Sequence, residues 1–351
     1  YALDVWGRYR SAYAAQTAGL EANIYDKQAV ELVTAVAVTT SYLNALAAHD
    51  RLAITQENIA TASRILKAVR SRLDVGTASA LDVAEQESVL AALKATTPAL
   101  EQQITQNRIQ LAVLLGTVPE GFTIKTRSLK SLSVPQVKAG LPAQLLVRRP
   151  DIARAEAGLR AASFNVQSAR AALLPNINLT ATGGFESLAL KNLLQPHALF
   201  ASGLAGITDP VFDGGNLRAQ LEGQTARQAE LIATYRKTVL TALADVENAL
   251  VAVQQSRKQE VLQQEAVNAS RRAYEISEER LRAGTIDLVT LLAVQQNLFQ
   301  AQENLLQSRL ARLQAALSLI QALGGGFVLP DDAPARLQLS HDRPVDSETQ
   351  P

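Results

Sequence analysis

The sequence lacks cysteine and methionine, and it is poor in proline and aromatic residues. Its 351 residues include no Cys, no Met, 12 Pro and only 4% aromatic side chains. Without cysteine, neither a disulfide framework nor a thiolate metal site can form. A chain dominated by Ala, Leu, Gln, Val and Arg with so little proline is typical of long helices.

The chain also lacks a targeting segment and a long apolar run. No charged segment is followed by an apolar stretch, and no uninterrupted apolar run reaches about 18 residues, so the sequence predicts neither a signal peptide nor a membrane-spanning helix. Because the chain begins at Tyr1 and contains no methionine, we expect a fragment or a processed product. Contact with a membrane would then require β-strands.

An excess of charge of one sign is missing as well. The net charge is +1, and basic residues alternate with acidic ones along the helical segments. No basic stripe is therefore available for a phosphate backbone, and nucleic acid is not an expected partner. His49, His197 and His341 are far apart, with no carboxylate or cysteine at metal-ligand spacing, so we expect neither a metal nor a cofactor.

Two long stretches contain no glycine or proline, namely residues 20–75 and 224–283. Apolar residues recur within them at three- and four-residue steps, which is the spacing of an α-helix. We predict a first helix from Trp6 to Arg72, about 67 residues and about 100 Å long. Gly76 ends this helix, because glycine suits a left-handed cap.

A second helix returns along the first. It is predicted to begin at the N-cap Ser79 and to end near Leu115, with a kink at Pro98. The same layout recurs in the second half of the chain at a constant offset of 208 residues, which indicates internal duplication. The matching pairs are Gly76 and Gly284, Thr77 and Thr285, Gly7 and Gly215, and Gly116 and Gly324.

A change of period follows the connector after the first hairpin. Residues 150–173 have helical spacing, and Pro175 ends that helix. Asn176 to Glu186 then alternate between polar and apolar residues over about ten positions, the length of a tilted membrane strand. A second extended segment is predicted over Leu199–Phe212, and Asn216 is predicted to be the N-cap of the next helix.

These elements predict a mainly α fold with a membrane β-hairpin and duplicated long antiparallel helical hairpins. Apolar helix seams and unpaired strand edges need cover from further copies, so we expect an oligomer. The duplication also predicts a strand pair upstream of residues 1–4. The predicted parts are a strand end and first hairpin (1–116), a connector (117–148), a helix with the β-hairpin (149–212), a second hairpin (213–324) and a polar tail (325–351).

Three segments resemble the TolC family of outer-membrane efflux ducts, and specifically its lipoprotein, NodT-like branch. They are LLVRRPDIARAEAGLRAASFNVQSARAALLPNINLTATGGF, DVWGR and PVFDGGNLRAQLEGQTARQAEL. The resemblance covers essentially the whole chain. It implies a homotrimer that shares one transmembrane β-barrel in outer-membrane lipid and one α-helical tunnel in the periplasm. It further implies a periplasmic adaptor protein and an inner-membrane transporter as partners, and a lipid anchor.

The resemblance also implies that the two hairpin tips form the closed periplasmic end, where the tunnel opens and the adaptor docks. As helix caps, these turn residues need no further role, and both interpretations stay open. The residues concerned are Gly76, Thr77, Ser79, Gly284, Thr285 and Asp287.

A lumen constriction is predicted just beyond the tips. Asp82 and Glu85 lie three residues apart on one helix face, and threefold symmetry would make them a ring of carboxylates. A solvated acidic face is the alternative. Thr290 is the corresponding position in the second repeat, and some relatives hold aspartates there and at the position of Ala293. The resemblance therefore implies a gate that is weak or confined to the first repeat.

Two further groups have competing interpretations. Phe185 and Phe200 flank the short loop between the strands and are predicted either as aromatics of the membrane interface or as ordinary hairpin packing. Arg148, Arg149 and Asp151 resemble a charged site beside the connector. An aspartate near a helix N-terminus is favourable in itself, so we predict a structural role for them.

The predicted function is a passive outer-membrane exit duct of a tripartite efflux or export system, and not an enzyme. No nucleophile with a base, phosphate loop or metal cluster is evident in the sequence. The alternative is a soluble periplasmic coiled-coil scaffold or adaptor, and the membrane-length strand at Asn176–Glu186 argues against it. A catalytic domain within the connector is disfavoured because the connector is short.

Overall fold

The computed structural model describes residues 1–124, 128–134, 148–186, 195–196 and 199–325. Within them, helices predominate and the strands are few. The helices are α1 (Arg8–Asp74), α2 (Ala80–Leu114), α3 (Pro150–Ala171), α4 (Asn216–Arg282) and α5 (Leu288–Ala322), with a 3-10 turn at Leu129–Ser131. The strands are β1 (Ala2–Leu3), β2 (Asn176–Phe185) and β3 (Leu199–Thr208).

The helix bounds confirm the duplication. α1 and α4 each have 67 residues and α2 and α5 each have 35, and both ends of each second copy lie 208 residues after those of the first. A helix of 67 residues is about 100 Å long. The predicted mainly α fold with two long antiparallel hairpins is therefore confirmed.

The two hairpins lie side by side. α1 packs against α2 and α4 packs against α5, and α1 also packs against α5, so the order across the four helices is α2, α1, α5, α4. This order leaves α2 and α4 at the outer edges. The seam between α1 and α5 is closed by two apolar clusters. One contains Ile65, Val69, Tyr274, Leu288, Leu291, Leu292 and Leu298, and the other Leu43, Leu46, Ala47, Leu129, Leu306 and Leu313.

Helix α3 bridges the two hairpins near the strands, because it packs against both α1 and α4. Ser168 Oγ donates to the Arg8 carbonyl (3.0 Å), and Gln228 Nε2 of α4 donates to Ser163 Oγ (3.0 Å). Arg160 pairs with Glu21 of α1 at 2.6 Å. The strands that follow α3 are thereby fixed to the ends of the long helices.

The strands form a three-stranded antiparallel sheet in the order β1, β2, β3. Directly opposed residues share a face, so the register of β2 and β3 defines the two faces of the hairpin. One face is apolar throughout, and the other holds most of the polar side chains. The apolar pairs are Ile177 with Ile207, Leu179 with Ala205, Ala181 with Gly203, Gly183 with Ala201, and Phe185 with Leu199.

Two sequence predictions in this region are wrong in detail. β3 ends at Thr208 and not at Phe212, since Pro210 has no amide hydrogen to donate to a strand ladder. Asn216 is the first residue of α4 and not its N-cap. Asp213 supplies the acceptor instead, accepting from the amides of Leu217 (2.8 Å) and Gly215 (2.9 Å), and these bonds hold its pKa below the ordinary value.

The connector is tied to α1 where it is described. Asp50 Oδ2 accepts hydrogen bonds from Ser128 Oγ (3.0 Å) and from the Leu129 amide (2.9 Å). Residues 122–124 of the connector are not in a strand. α2 continues unbroken through Pro98, and the kink there stays a prediction.

Helix α1 has an exposed apolar stretch, in which Val30 is 58% and Val33 is 54% exposed. It contains one window that is long and apolar enough, by length and composition alone, to cross a membrane. The sequence prediction of no membrane-spanning helix depended on an uninterrupted apolar run, and glutamate and threonine interrupt the residues around Val30 and Val33.

Candidate functional site

The first helix of each hairpin, α1 in one and α4 in the other, ends in the same glycine turn. Gly76 has φ 77° and Gly284 has φ 70°, a conformation that strains any L-residue with a Cβ. The Thr77 amide donates to the Arg72 carbonyl (2.8 Å), and the corresponding bond from Thr285 is 2.9 Å long. These bonds define a Schellman cap. The structural role of both turns is therefore established, whereas adaptor docking stays a prediction.

The returning helices begin with different caps. In the first repeat, Ser79 Oγ accepts from the Asp82 amide (3.2 Å) and Asp82 Oδ2 accepts from the Ser79 amide (2.7 Å), which is a reciprocal capping box. In the second repeat, Asp287 accepts from the Thr290 amide (2.9 Å). Hydrogen bonds from Thr290 lower the pKa of Asp287. Asp82 and Thr290 thus both take part in the hydrogen bonds that cap the start of a helix.

Behind these caps, polar side chains are buried. Gln86 and Gln295 are both 0% exposed. Gln86 Nε2 donates to the Ala62 carbonyl (2.9 Å), but Gln86 Oε1, both side-chain polar atoms of Gln295 and Glu85 Oε2 are buried with no hydrogen-bond partner. A buried polar atom without a hydrogen-bond partner has lost its contact with water uncompensated, which lowers the stability of the fold. Asp82 and Glu85 therefore share a helix turn but have different surroundings, and the choice between a ring of carboxylates and a solvated acidic face stays a prediction.

Charged side chains join the two tips. Arg72 Nη1, at the end of α1, donates to the Leu281 carbonyl at the end of α4 (3.2 Å). Arg64 of α1 lies 4.0 Å from Glu278 of α4. Burial and the nearby Glu278 raise the pKa of Tyr274, which is 7% exposed. This contact between the tips was not predicted from the sequence, although the same Arg-Leu pair precedes the Gly-Thr turn in each repeat.

Arg149 connects the start of α3 to the second hairpin. It donates through Nε and Nη2 to Asp151 (3.0 and 2.8 Å), and through Nη1 and Nη2 to Asp245 Oδ2 of α4 (both 3.1 Å). Nη1 also donates to the Ala322 carbonyl at the end of α5 (3.3 Å). Burial alone would lower the pKa of Arg149, but the two carboxylates raise it. This geometry supports the structural role predicted for Arg149 and Asp151, and Arg148 is exposed.

The two aromatic residues beside the strand loop lie on opposite faces of the hairpin. Phe185 is opposite Leu199 on the apolar face, whereas Phe200 is opposite Gly184 on the other face. The ring of Phe200 lies over Gly184, where an added Cβ would be 3.3 Å from its Cε1 atom. The register therefore separates the two side chains, and the choice between aromatics of the membrane interface and ordinary hairpin packing stays a prediction.

Within the described residues, no group of three or more His, Asp or Glu side chains could hold a metal ion. His49 is half-buried in α1. His197 and His341 lie outside the described part of the chain.

The chain is similar to known outer-membrane proteins. The sequence model described as "Outer membrane efflux protein" matches residues 1–117 and 141–325. The pyoverdine export outer membrane protein OpmQ of Pseudomonas putida is 40% identical over 337 residues, which cover 96% of this chain and 71% of OpmQ. The toluene efflux pump outer membrane protein TtgC of Pseudomonas putida is 32% identical over 333 residues, which cover 93% of this chain and 68% of TtgC.

A solved structure extends this similarity to the fold. The open state of the MtrE outer membrane channel of Neisseria gonorrhoeae superposes with a TM-score of 0.85 at 30% identity. The superposition covers 93% of this chain and 74% of the MtrE chain.

Proposed function

Because the chain belongs to the outer membrane efflux protein family, we propose that it acts as the exit duct of a tripartite efflux or export system. It resides in the outer membrane, as its relatives do, with the helical hairpins in the periplasm. The alternative of a soluble periplasmic scaffold is not favoured, because the matched relatives are outer-membrane proteins.

The observation that carries this proposal is the continuity between the β-hairpin and the long helices. β2 and β3 have ten residues each, and they present one uninterrupted apolar face. Ten tilted residues are about the length needed to cross the apolar part of a bilayer. α3 precedes this β-hairpin in the chain and α4 follows it, so a tunnel formed by the helices would continue into the membrane.

The assembly is proposed to be a homotrimer with one shared β-barrel and one α-helical tunnel. A single hairpin leaves strand edges that a membrane interior does not tolerate, so closure needs further copies. The helix order also supports a ring. Since α4 repeats α1 and α2 is repeated by α5, the contact of α1 with α5 can recur between α4 of one copy and α2 of the next. Such a head-to-tail contact closes when the rotation between copies allows it.

The other members of the system are proposed to be a periplasmic adaptor protein and an inner-membrane transporter. OpmQ is named for pyoverdine export and TtgC for toluene efflux. Because proteins named for such different cargoes share this family, we place the choice of cargo in the transporter. The duct itself is proposed to be passive and to have no catalytic activity, because wall charge and width suffice to select what passes.

The tips and the acidic turn are proposed to dock the adaptor and to narrow the lumen. Thr77, Thr285 and Asp287 are exposed at the tips and available for a partner. Asp82 stabilises its helix start, so replacing it would change both the cap and any constriction. Glu85→Gln is the cleaner test, because it keeps the size of the side chain and removes only its charge.

In planar bilayers, Glu85→Gln should change single-channel conductance and its dependence on salt if Glu85 borders the lumen. Glu120→Gln serves as the control, because Glu120 is exposed and lies beyond the end of α2. Unchanged conductance in the Glu85 variant at both low and high salt would exclude the constriction.

Cell fractionation tests the proposal as a whole. The protein should sediment with outer membranes and run on a gel as an oligomer of three chains that heating converts to monomer. Recovery in the soluble periplasm, with no heat-sensitive oligomer, would exclude the duct.

A further inference from the structure

One polar contact between the two repeats depends on an arginine and a backbone carbonyl. Arg72 Nη1 donates to the Leu281 carbonyl at 3.2 Å. That carbonyl also accepts from the Gly284 amide at 3.1 Å as part of its turn. The turn geometry leaves one lone pair of the carbonyl available to a side chain from the neighbouring repeat.

The same donor and the same acceptor exist 208 residues away. Arg280 occupies the position of Arg72, and Leu73 occupies the position of Leu281. The Leu73 carbonyl accepts from the Gly76 amide at 2.9 Å, so its turn has the same geometry. Within this chain, however, Arg72 is half-buried whereas Arg280 is exposed, and Leu73 is 37% exposed. The second set of groups is present but lacks the neighbouring repeat.

The geometry assigns this second contact to a second copy of the chain: Arg280 of one copy donates to the Leu73 carbonyl of the next. This assignment rests on the proposed ring, in which α4 of one copy meets α2 of the next and brings their tips together. Arg280 thereby defines the interface between copies at the periplasmic tip. Around a trimer, the Arg72 contacts inside each copy would alternate with the Arg280 contacts between neighbouring copies.

The contact of the arginine can recur between copies because its acceptor is a backbone carbonyl. A backbone carbonyl is provided by the turn whatever the side chain is. By contrast, the contact of Gln314 with Asn44 (2.9 Å) in the seam between α1 and α5 uses two side chains, and the position corresponding to Asn44 is Ala252. The seam between copies therefore depends more on Arg280 than the seam inside a copy depends on Arg72.

A second shifted pair makes the interface between copies weaker. The ion pair of Arg64 with Glu278 corresponds to Arg272 of one copy opposite Arg70 of the next. Arg70 is neutralised within its own copy by Glu87, at 2.5 Å. The interface between copies therefore lacks the attraction that Arg64 and Glu278 supply inside a copy.

Thiol cross-linking tests the assignment, because these 351 residues contain no cysteine. The protein purified from outer membranes would carry either Leu73→Cys with Arg280→Cys, or the matched pair Arg72→Cys with Leu281→Cys. A bismaleimide with the span of an arginine side chain is added, and the products are separated after full denaturation. We expect the first pair to shift the band to the masses of two and three chains. The matched pair should react within one chain and leave the mass unchanged.

The outcomes separate this inference from the proposed function. If the first pair gives only monomer after denaturation while the heat-sensitive oligomer persists, the contact is wrong and the ring remains. If no oligomer forms with natural residues at these positions, the ring fails and the contact fails with it. Arg280→Gln adds a measurement without cross-linking. It should lower the temperature at which the oligomer dissociates, and an unchanged temperature would contradict the assignment.

Discussion

Arg149 makes hydrogen bonds to both helices of the second hairpin, through Ala242 and Asp245 of α4 and Ala322 of α5. It contacts two carboxylates and the last turn of α5, and its side chain is only 12% exposed. Removing it leaves Asp151 and Asp245 without their cation. We expect Arg149→Ala to lower the free energy of unfolding by about 1–3 kcal/mol, since both carboxylates retain some contact with water. Arg148→Ala, at an exposed neighbouring position, should have little effect in the same urea titration.

The same site gives a dependence on pH with a definite sign. Burial alone would raise the pKa of Asp151, but the Arg149 guanidinium overrides it and holds that pKa below 3.8. A carboxyl with a depressed pKa in the folded state stabilises the protein above its unfolded pKa and loses that contribution as the pH falls through the folded value. The stability difference between natural and Arg149→Ala proteins should therefore be constant above about pH 5 and shrink towards pH 3. A difference that grows on acidification would contradict this.

Gln86 and Gln295 form a natural matched pair, since both are fully buried near the tips. Gln86 Nε2 has a hydrogen bond although its Oε1 has none, whereas neither polar atom of Gln295 has one, so only Gln86→Leu breaks a bond and the two replacements should have opposite effects. We expect Gln295→Leu to raise the unfolding temperature, because an unsatisfied buried amide costs about 1–3 kcal/mol. Gln86→Leu should lower it. Thermal unfolding followed by circular dichroism distinguishes the two, and a stabilised Gln86 variant would exclude this explanation.

At the scale of elements, the long helices depend on glycine only where they end. Gly76 has a positive φ, whereas Gly19 lies inside α1 with nothing within 4 Å of an added Cβ. Gly76→Ala should therefore destabilise the first hairpin by about 1–2 kcal/mol through backbone strain. Gly19→Ala should stabilise it by about 0.5–1 kcal/mol, because alanine restricts the unfolded chain. Opposite shifts in the urea midpoint are the expected result, and equal shifts would show that φ is not the cause.

The elements were predictable from sequence where a local pattern fixes them. The ends of α1 and α4 follow from Gly76 and Gly284, and the strand β2 follows from its alternation. Long-range contacts were not predictable, because Arg149 reaches Asp245 and Asp50 reaches Ser128 across many intervening residues. The faces of Phe185 and Phe200 depend on the strand register, and the sequence alone did not determine where β3 ends.

At the scale of the whole molecule, the β-hairpin must distinguish lipid from lumen. Ala181 and Thr180 are neighbours near the middle of β2, and they point to opposite faces because strand side chains alternate. Ala181 belongs to the apolar face, which the proposed barrel turns towards lipid. A charge there would have to be buried in the hydrocarbon layer, whereas a charge at position 180 would face water.

Ala181→Arg should therefore destabilise the membrane-inserted protein by about 2–4 kcal/mol, the penalty for arginine near the bilayer midplane of a barrel. Thr180→Arg has the same charge and almost the same position, so it controls for size and strand propensity. Outer-membrane fractions should contain much less heat-sensitive oligomer for Ala181→Arg than for Thr180→Arg. If the two variants assemble equally, the apolar face does not meet lipid. If only Thr180→Arg fails, the hairpin is inserted with its faces reversed, and the polar side chains must then be covered by another part of the assembly.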